Sequence, residues 1–140
     1  MKKIIKNKVY DTETAKKHGE YEPNPYKSDF HWFCETLYQK KTGEFFLYGE
    51  GNAASKYSRL CGQNEYCPDE RITPLSYEEA QEWAGKHLDG DEYIAIFGEP
   101  EENDDITHLH ISLTKQSADK LRQQAAQKGL TVSGYINSLI

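Results

Sequence analysis

The residues with most to offer a ligand lie in the run THLHISL at 107–113, where His108, His110 and Ser112 take alternate positions. Extended backbone sends successive side chains to opposite faces, so these three share one face and Leu109, Ile111 and Leu113 share the other. Two imidazoles and a hydroxyl in a row offer hydrogen-bond donors and acceptors along one face. Histidine is largely uncharged near pH 7, so if such a row binds DNA, its affinity is expected to rise as the pH falls from about 7.5 to 6. A second set follows at Thr131, Val132 and Ser133. They open a helix whose first backbone N–H groups have no partner within the helix.

The other reactive side chains form no recognisable set. Cys61 and Cys67 are separated by five residues, which is neither a C-x-x-C pair nor a zinc spacing. With Cys34 they make an odd total of three, which argues against a disulfide framework, so the thiols are expected to be structural or incidental. His31 and His87 do not complete a metal set, and His87 is expected to pack on the apolar face of a helix. Asp69-Glu70-Arg71 superficially resembles a nuclease carboxylate cluster but lacks the upstream acid and downstream lysine. The glycines of Gly49-Glu50-Gly51-Asn52 do not follow a strand and open a helix, as a phosphate loop requires. Nucleophile–base sets and H-E-x-x-H are absent from the sequence. The expectation is a protein without catalytic residues, cofactor or metal.

Three short elements must position the histidine row. The alternating run reads as a half-buried strand. Lys115 to Lys128 is rich in good helix formers and ends at Gly129. Thr131 then caps a second helix, in which Val132, Tyr135, Ile136, Leu139 and Ile140 follow helical spacing. Such a unit cannot bury its own apolar surface, and pairing the strand with its copy in a second chain would solve this. Carried by HLHISL, ADKLRQQAAQKGL and TVSGYINSLI, the segment resembles the ribbon-helix-helix domain of Arc- and MetJ-type repressors. The resemblance implies a homodimer whose ribbon enters the major groove. It makes His108, His110 and Ser112 the base readers and Thr131, Val132 and Ser133 the phosphate contacts. Leu109, Ile111, Leu113, Leu121, Tyr135, Ile136 and Leu139 become the dimer core. The alternative for the same unit is a dimer clasp that does not read DNA. Body followed by ribbon is similar in order to HicB-type antitoxins. The stretches IIKNKVYDTETAKKHG, SKYSRLCGQ and PLSYEEAQEWAGKHLD look like small accessory proteins of Gram-positive mobile elements, some of which are anti-CRISPR inhibitors of Cas9 nucleases.

Charge is divided unevenly along the 140 residues. Residues 107–140 carry +3, whereas the rest carries 13 basic and 22 acidic groups, or −9, within a total of −6. An acidic body with a mildly basic tail does not fit a protein that coats nucleic acid. It fits a small DNA-contacting end joined to a domain with another task. Hydrophobic content of 36% is low, but 12% aromatic residues argue for a packed core. There is no apolar run of membrane-spanning length, and MKKIIKNK lacks the apolar core of a signal peptide, so a cytoplasmic location is expected.

In the body, Lys2–Tyr10 reads as a strand, and Asp11 or Thr12 as the cap of a short helix over 14–17. Phe30–Tyr38 and Glu44–Tyr48 read as a hairpin turned at Gly43. Residues 49–71 read as irregular, with a one-turn helix at 53–57. After a short strand at 72–75, Ser76 and Glu79 form a capping box before a helix carrying Ala80, Trp83, Ala84, His87 and Leu88 on one face. A second short helix stops at Gly98.

These readings make the chain α+β. An N-terminal domain (1–98) has an antiparallel hairpin or sheet packed by a helix, an acidic linker spans 99–106, and a ribbon-helix-helix unit (107–140) pairs in a homodimer. The expected function is a non-enzymatic DNA-binding regulator of a mobile element whose acidic domain binds a partner. The alternative is an antitoxin-type or anti-CRISPR inhibitor, in which the acidic domain occupies a basic groove of a nuclease or toxin. Double-stranded DNA and a second copy of the chain are the other expected partners, and a membrane is not.

Overall fold

The computed structural model describes residues 1–100, 102, 107 and 109–140. It divides into two compact units, Met1–Glu102 and Asn103–Ile140.

The N-terminal unit is richer in strand than its sequence suggests. Lys2–Ile5 (β1) and Lys8–Asp11 (β2) form a hairpin where one strand is expected. Lys6 and Asn7 both sit at positive φ (51° and 64°), the two-residue turn whose twist matches its strands. Lys16–Tyr21 (β3) overlaps the expected helix over 14–17, because this segment is captured by a neighbouring strand. Then come Phe33–Gln39 (β4), Phe45–Gly51 (β5), Arg59–Gly62 (β6), Glu65–Cys67 (β7) and Asp69–Leu75 (β8). The sheet β3-β4-β5-β8 is antiparallel throughout, and β6-β7 forms a separate hairpin inserted between β5 and β8. That hairpin is closed by a Cys61–Cys67 disulfide, with Cα atoms 5.9 Å apart. The bond corrects the expectation of unpaired thiols: a bulge at Cys61 and a tight turn at Asn64 bring two cysteines of unremarkable spacing together.

Two helices cover one face of the sheet. Tyr77–His87 (α1) begins with the expected capping box, Ser76 Oγ accepting from the Glu79 backbone at 3.1 Å and Glu79 from that of Ser76 at 2.9 Å. Gly90–Phe97 (α2) starts at Asp89, which caps Glu92, and stops at Gly98 with φ 81°. Leu37, Phe45 and Leu47 from the sheet pack with Ala80, Trp83 and Ala84 from α1. On the opposite face, Phe46 and Ile72 pack with Tyr10 from the N-terminal hairpin. Phe46 and Leu37 are wholly buried, each contributing on the order of 2–3 kcal/mol of hydrophobic stabilisation.

The C-terminal unit consists of Lys115–Gln127 (α3) and Val132–Leu139 (α4). Thr114 and Thr131 cap them through the backbone of Ser117 and Gly134, and Gly129 takes φ 67° between them. The expected ribbon-helix-helix architecture is overturned here. Residues 107 and 109–114 are not in a strand, and Leu109, Ile111 and Leu113 are exposed. A strand exists through hydrogen bonds to a neighbour, and the rest of this unit is helical among the described residues. His108 lies outside the described residues, as do 101 and 103–106 of the acidic linker. Glu99, Pro100 and Glu102 are exposed and outside regular structure.

Candidate functional site

Strand register sorts the charged residues of the N-terminal unit onto two faces. One row crosses the sheet as Tyr21, Glu35, Gly49 and Arg71, facing α1. Gly49 is required there because a Cβ would lie 1.9 Å from Cζ of Tyr57, whose ring occupies the slot. The Tyr57 hydroxyl donates to Glu35 Oε2 at 2.5 Å, and Lys56 Nζ lies 3.1 Å from Oε1. Arg71 stacks over the Tyr57 ring at 5.0 Å. Burial, and then the Glu35 carboxylate, push the Tyr57 hydroxyl well above its ordinary pKa, so it stays a donor. His87 stacks on Tyr21 at 4.0 Å, and burial holds its pKa below the usual value. Both Glu35 oxygens are thus already engaged. This row is a clasp that pins the loop after β5 onto the sheet.

The opposite face differs. Glu50 and Glu70 are directly opposed on β5 and β8, next to Cys34 on β4. One step along, Glu20, Thr36, Tyr48 and Ile72 form the adjoining row. The Tyr48 hydroxyl donates to Glu70 and lies 3.5 Å from Glu50 Oε2, so one proton serves two carboxylates. Burial, reinforced by those carboxylates, raises the Tyr48 pKa and keeps that proton in place. Cys34 donates its thiol to Glu20 Oε1 at 3.4 Å. Burial pushes the thiol up to about 12, and the hydrogen bond with Cys34 holds the Glu20 carboxyl below its usual range. Glu22 accepts from Trp32 Nε1 at 3.0 Å. Lys17 lies 3.3 Å from Glu20, but among the described residues no ion pair reaches Glu22, Glu50 or Glu70. Like charges directly opposite across a strand pair destabilise a sheet, so this face holds negative charge at a cost to the fold.

A shallow open groove of about 380 Å³ runs beside Gly85, Leu88, Tyr93 and Ile94. Its one carboxylate, Asp89, already caps α2. No group of three or more His, Cys, Asp or Glu among the described residues is arranged to hold a metal ion. No helix among them is long and apolar enough to cross a membrane.

In the C-terminal unit, the anticipated base readers His110 and Ser112 are exposed on irregular backbone. Thr131 uses its hydroxyl on Gly134, while Val132 and Ser133 form the exposed first turn of α4. Of the anticipated dimer core, Tyr135 is buried with its hydroxyl 3.0 Å from Gln124, and Leu121 and Ile136 are half-buried. Leu109, Ile111, Leu113 and Leu139 face solvent. Sequence reasoning singled out Glu70 in another context and missed the acidic face. Its carboxylates come from β3, β5, β8 and the loop after β3, and only the register joins them. No protein-family model, curated protein or solved structure matches this chain.

Proposed function

We propose that the chain is a non-enzymatic interaction protein. Its acidic N-terminal unit takes a basic protein partner, such as the basic groove of a nuclease or toxin, and its C-terminal helices associate with a second copy. The observation that carries this reading is the opposed Glu50–Glu70 pair, sharing one Tyr48 proton on a face that also bears Glu20 and Glu22. A guanidinium or ammonium group set between those carboxylates would relieve their repulsion, so binding and local stability favour the same occupant. The unit around this face has 13 basic and 20 acidic side chains in residues 1–102, which would steer a cationic partner toward it. Self-association is supported by the C-terminal unit, which buries only Ala125 and Tyr135 among its described residues and exposes Leu109, Ile111, Leu113 and Leu139. So small a core is marginal without a further surface to bury.

A second reading, a DNA-contacting regulator, draws on the +3 charge of residues 107–140 and the exposed first turn of α4. Titrating the full chain with a ten-residue arginine peptide and, separately, with duplex DNA distinguishes the two. Salt-sensitive peptide binding without a DNA shift is the expected result. A DNA complex with no peptide binding would replace the first reading by the second.

A further inference from the structure

The β6–β7 hairpin contributes almost nothing to the core. Every residue of β6 is exposed, as are Glu65 and Tyr66, and Cys67 is half-buried. It is not paired with the four-stranded sheet, and its ladder is broken by the bulge at Cys61. A two-stranded hairpin of this size is marginal in water without support. The support it has is the bond between Cys61, which is exposed, and Cys67. Closed, the hairpin holds Leu60 directly opposite Tyr66, an apolar pair that is 63% and 60% exposed.

We propose that Cys61–Cys67 is a reversible thiol–disulfide site, reduced by a small or protein dithiol, whose state decides whether the β6–β7 hairpin and its Leu60–Tyr66 pair are formed. A thiolate of the dithiol attacks Sγ of Cys61, the more exposed residue of the pair. The S–S bond breaks, a mixed disulfide forms on Cys61, and Cys67 leaves as a thiolate that takes a proton. The second thiol of the reductant then attacks the mixed disulfide, releasing Cys61 as a thiol and the reductant as its own disulfide. Two electrons pass from the dithiol to the protein. Cys34 stays outside this exchange, being buried in the four-stranded sheet with its thiol bonded to Glu20. Because the hairpin shares no core residue with the sheet, the change stays local.

Hydrogen–deuterium exchange on the full chain, oxidised and in dithiothreitol, reads this directly. Cys61→Ser/Cys67→Ser serves as a permanently open second sample. Exchange over 59–67 should accelerate on reduction and in the double variant, by on the order of 50-fold from the chain-entropy cost of so short a loop. Protection of β4 and β5 should be unchanged. Unaltered exchange over 59–67 would overturn the proposal, as would loss of protection across the whole sheet. So would thiols that fail to pair under oxidised glutathione.

Discussion

At Gly49 the ring of Tyr57 lies where a side chain would begin, and that ring carries the hydroxyl held by Glu35. Gly49→Ala must expel Tyr57, which breaks the bond to a buried carboxylate and removes the surface on which Arg71 stacks. A loss of about 2–3 kcal/mol in chemical denaturation is expected, and a loss within about 0.5 kcal/mol would show that the slot is not filled as described. His87 provides a pH test. Burial lowers its pKa, against the pull of Glu35 and with the push of Lys56 and Lys86. The unfolded chain therefore takes up the proton first. Stability is complete above the ordinary histidine value of about 6.5 and is lost as the pH falls through it toward the lowered folded value. His87→Phe, which keeps a ring on Tyr21, should flatten the melting temperature between about pH 7.5 and 5.5 relative to the native chain. An unchanged slope would place the titrating group elsewhere. The lowered carboxyls of Glu20 and Glu44 act in the same direction but in a more acid window.

The elements that were legible in the sequence are those whose signals are local. The capping box at Ser76, the stops at Gly98 and Gly129 and the cap at Thr131 each settle a helix end within a few residues. The aromatic hairpin of β4 and β5 was legible from its hydrophobic runs and Gly43. Elements defined by a distant partner were not. Lys16–Tyr21 has no β-branched residue and is a strand because β4 binds it, and β6–β7 owes its form to a bulge and a disulfide. The alternation at 107–113 is the converse case, a strand pattern with no neighbouring strand among the described residues of its own unit. What that unit retains is exposed apolar surface at both ends of its helices. Sedimentation should therefore detect a dimer at micromolar concentration, and Leu139→Glu, at a position 65% exposed, should dissociate it without unfolding α3 or α4. A monomeric native chain would contradict the self-association assigned to these helices.

For the molecule as a whole, the division of charge read from the sequence becomes a division of surfaces once the register is known. Residues 1–102 carry a net −7, and part of that charge is gathered on the sheet face away from α1. The sequence revealed the excess but not its focus, because Glu20, Glu50 and Glu70 become neighbours only through pairing across β3, β4, β5 and β8. The central claim is that this face is charged for a partner and not for the fold. The most direct measurement compares the native chain with Glu50→Gln/Glu70→Gln, recording both thermal stability and affinity for the ten-residue arginine peptide at low and moderate salt. The account predicts a variant at least as stable as the native chain, by up to about 1 kcal/mol, because a like-charge cross-strand pair is removed. It also predicts affinity lower by about tenfold or more, with a shallower salt dependence. Unchanged affinity in a folded variant, or a variant that unfolds because the two carboxylates hold the sheet together, would contradict it.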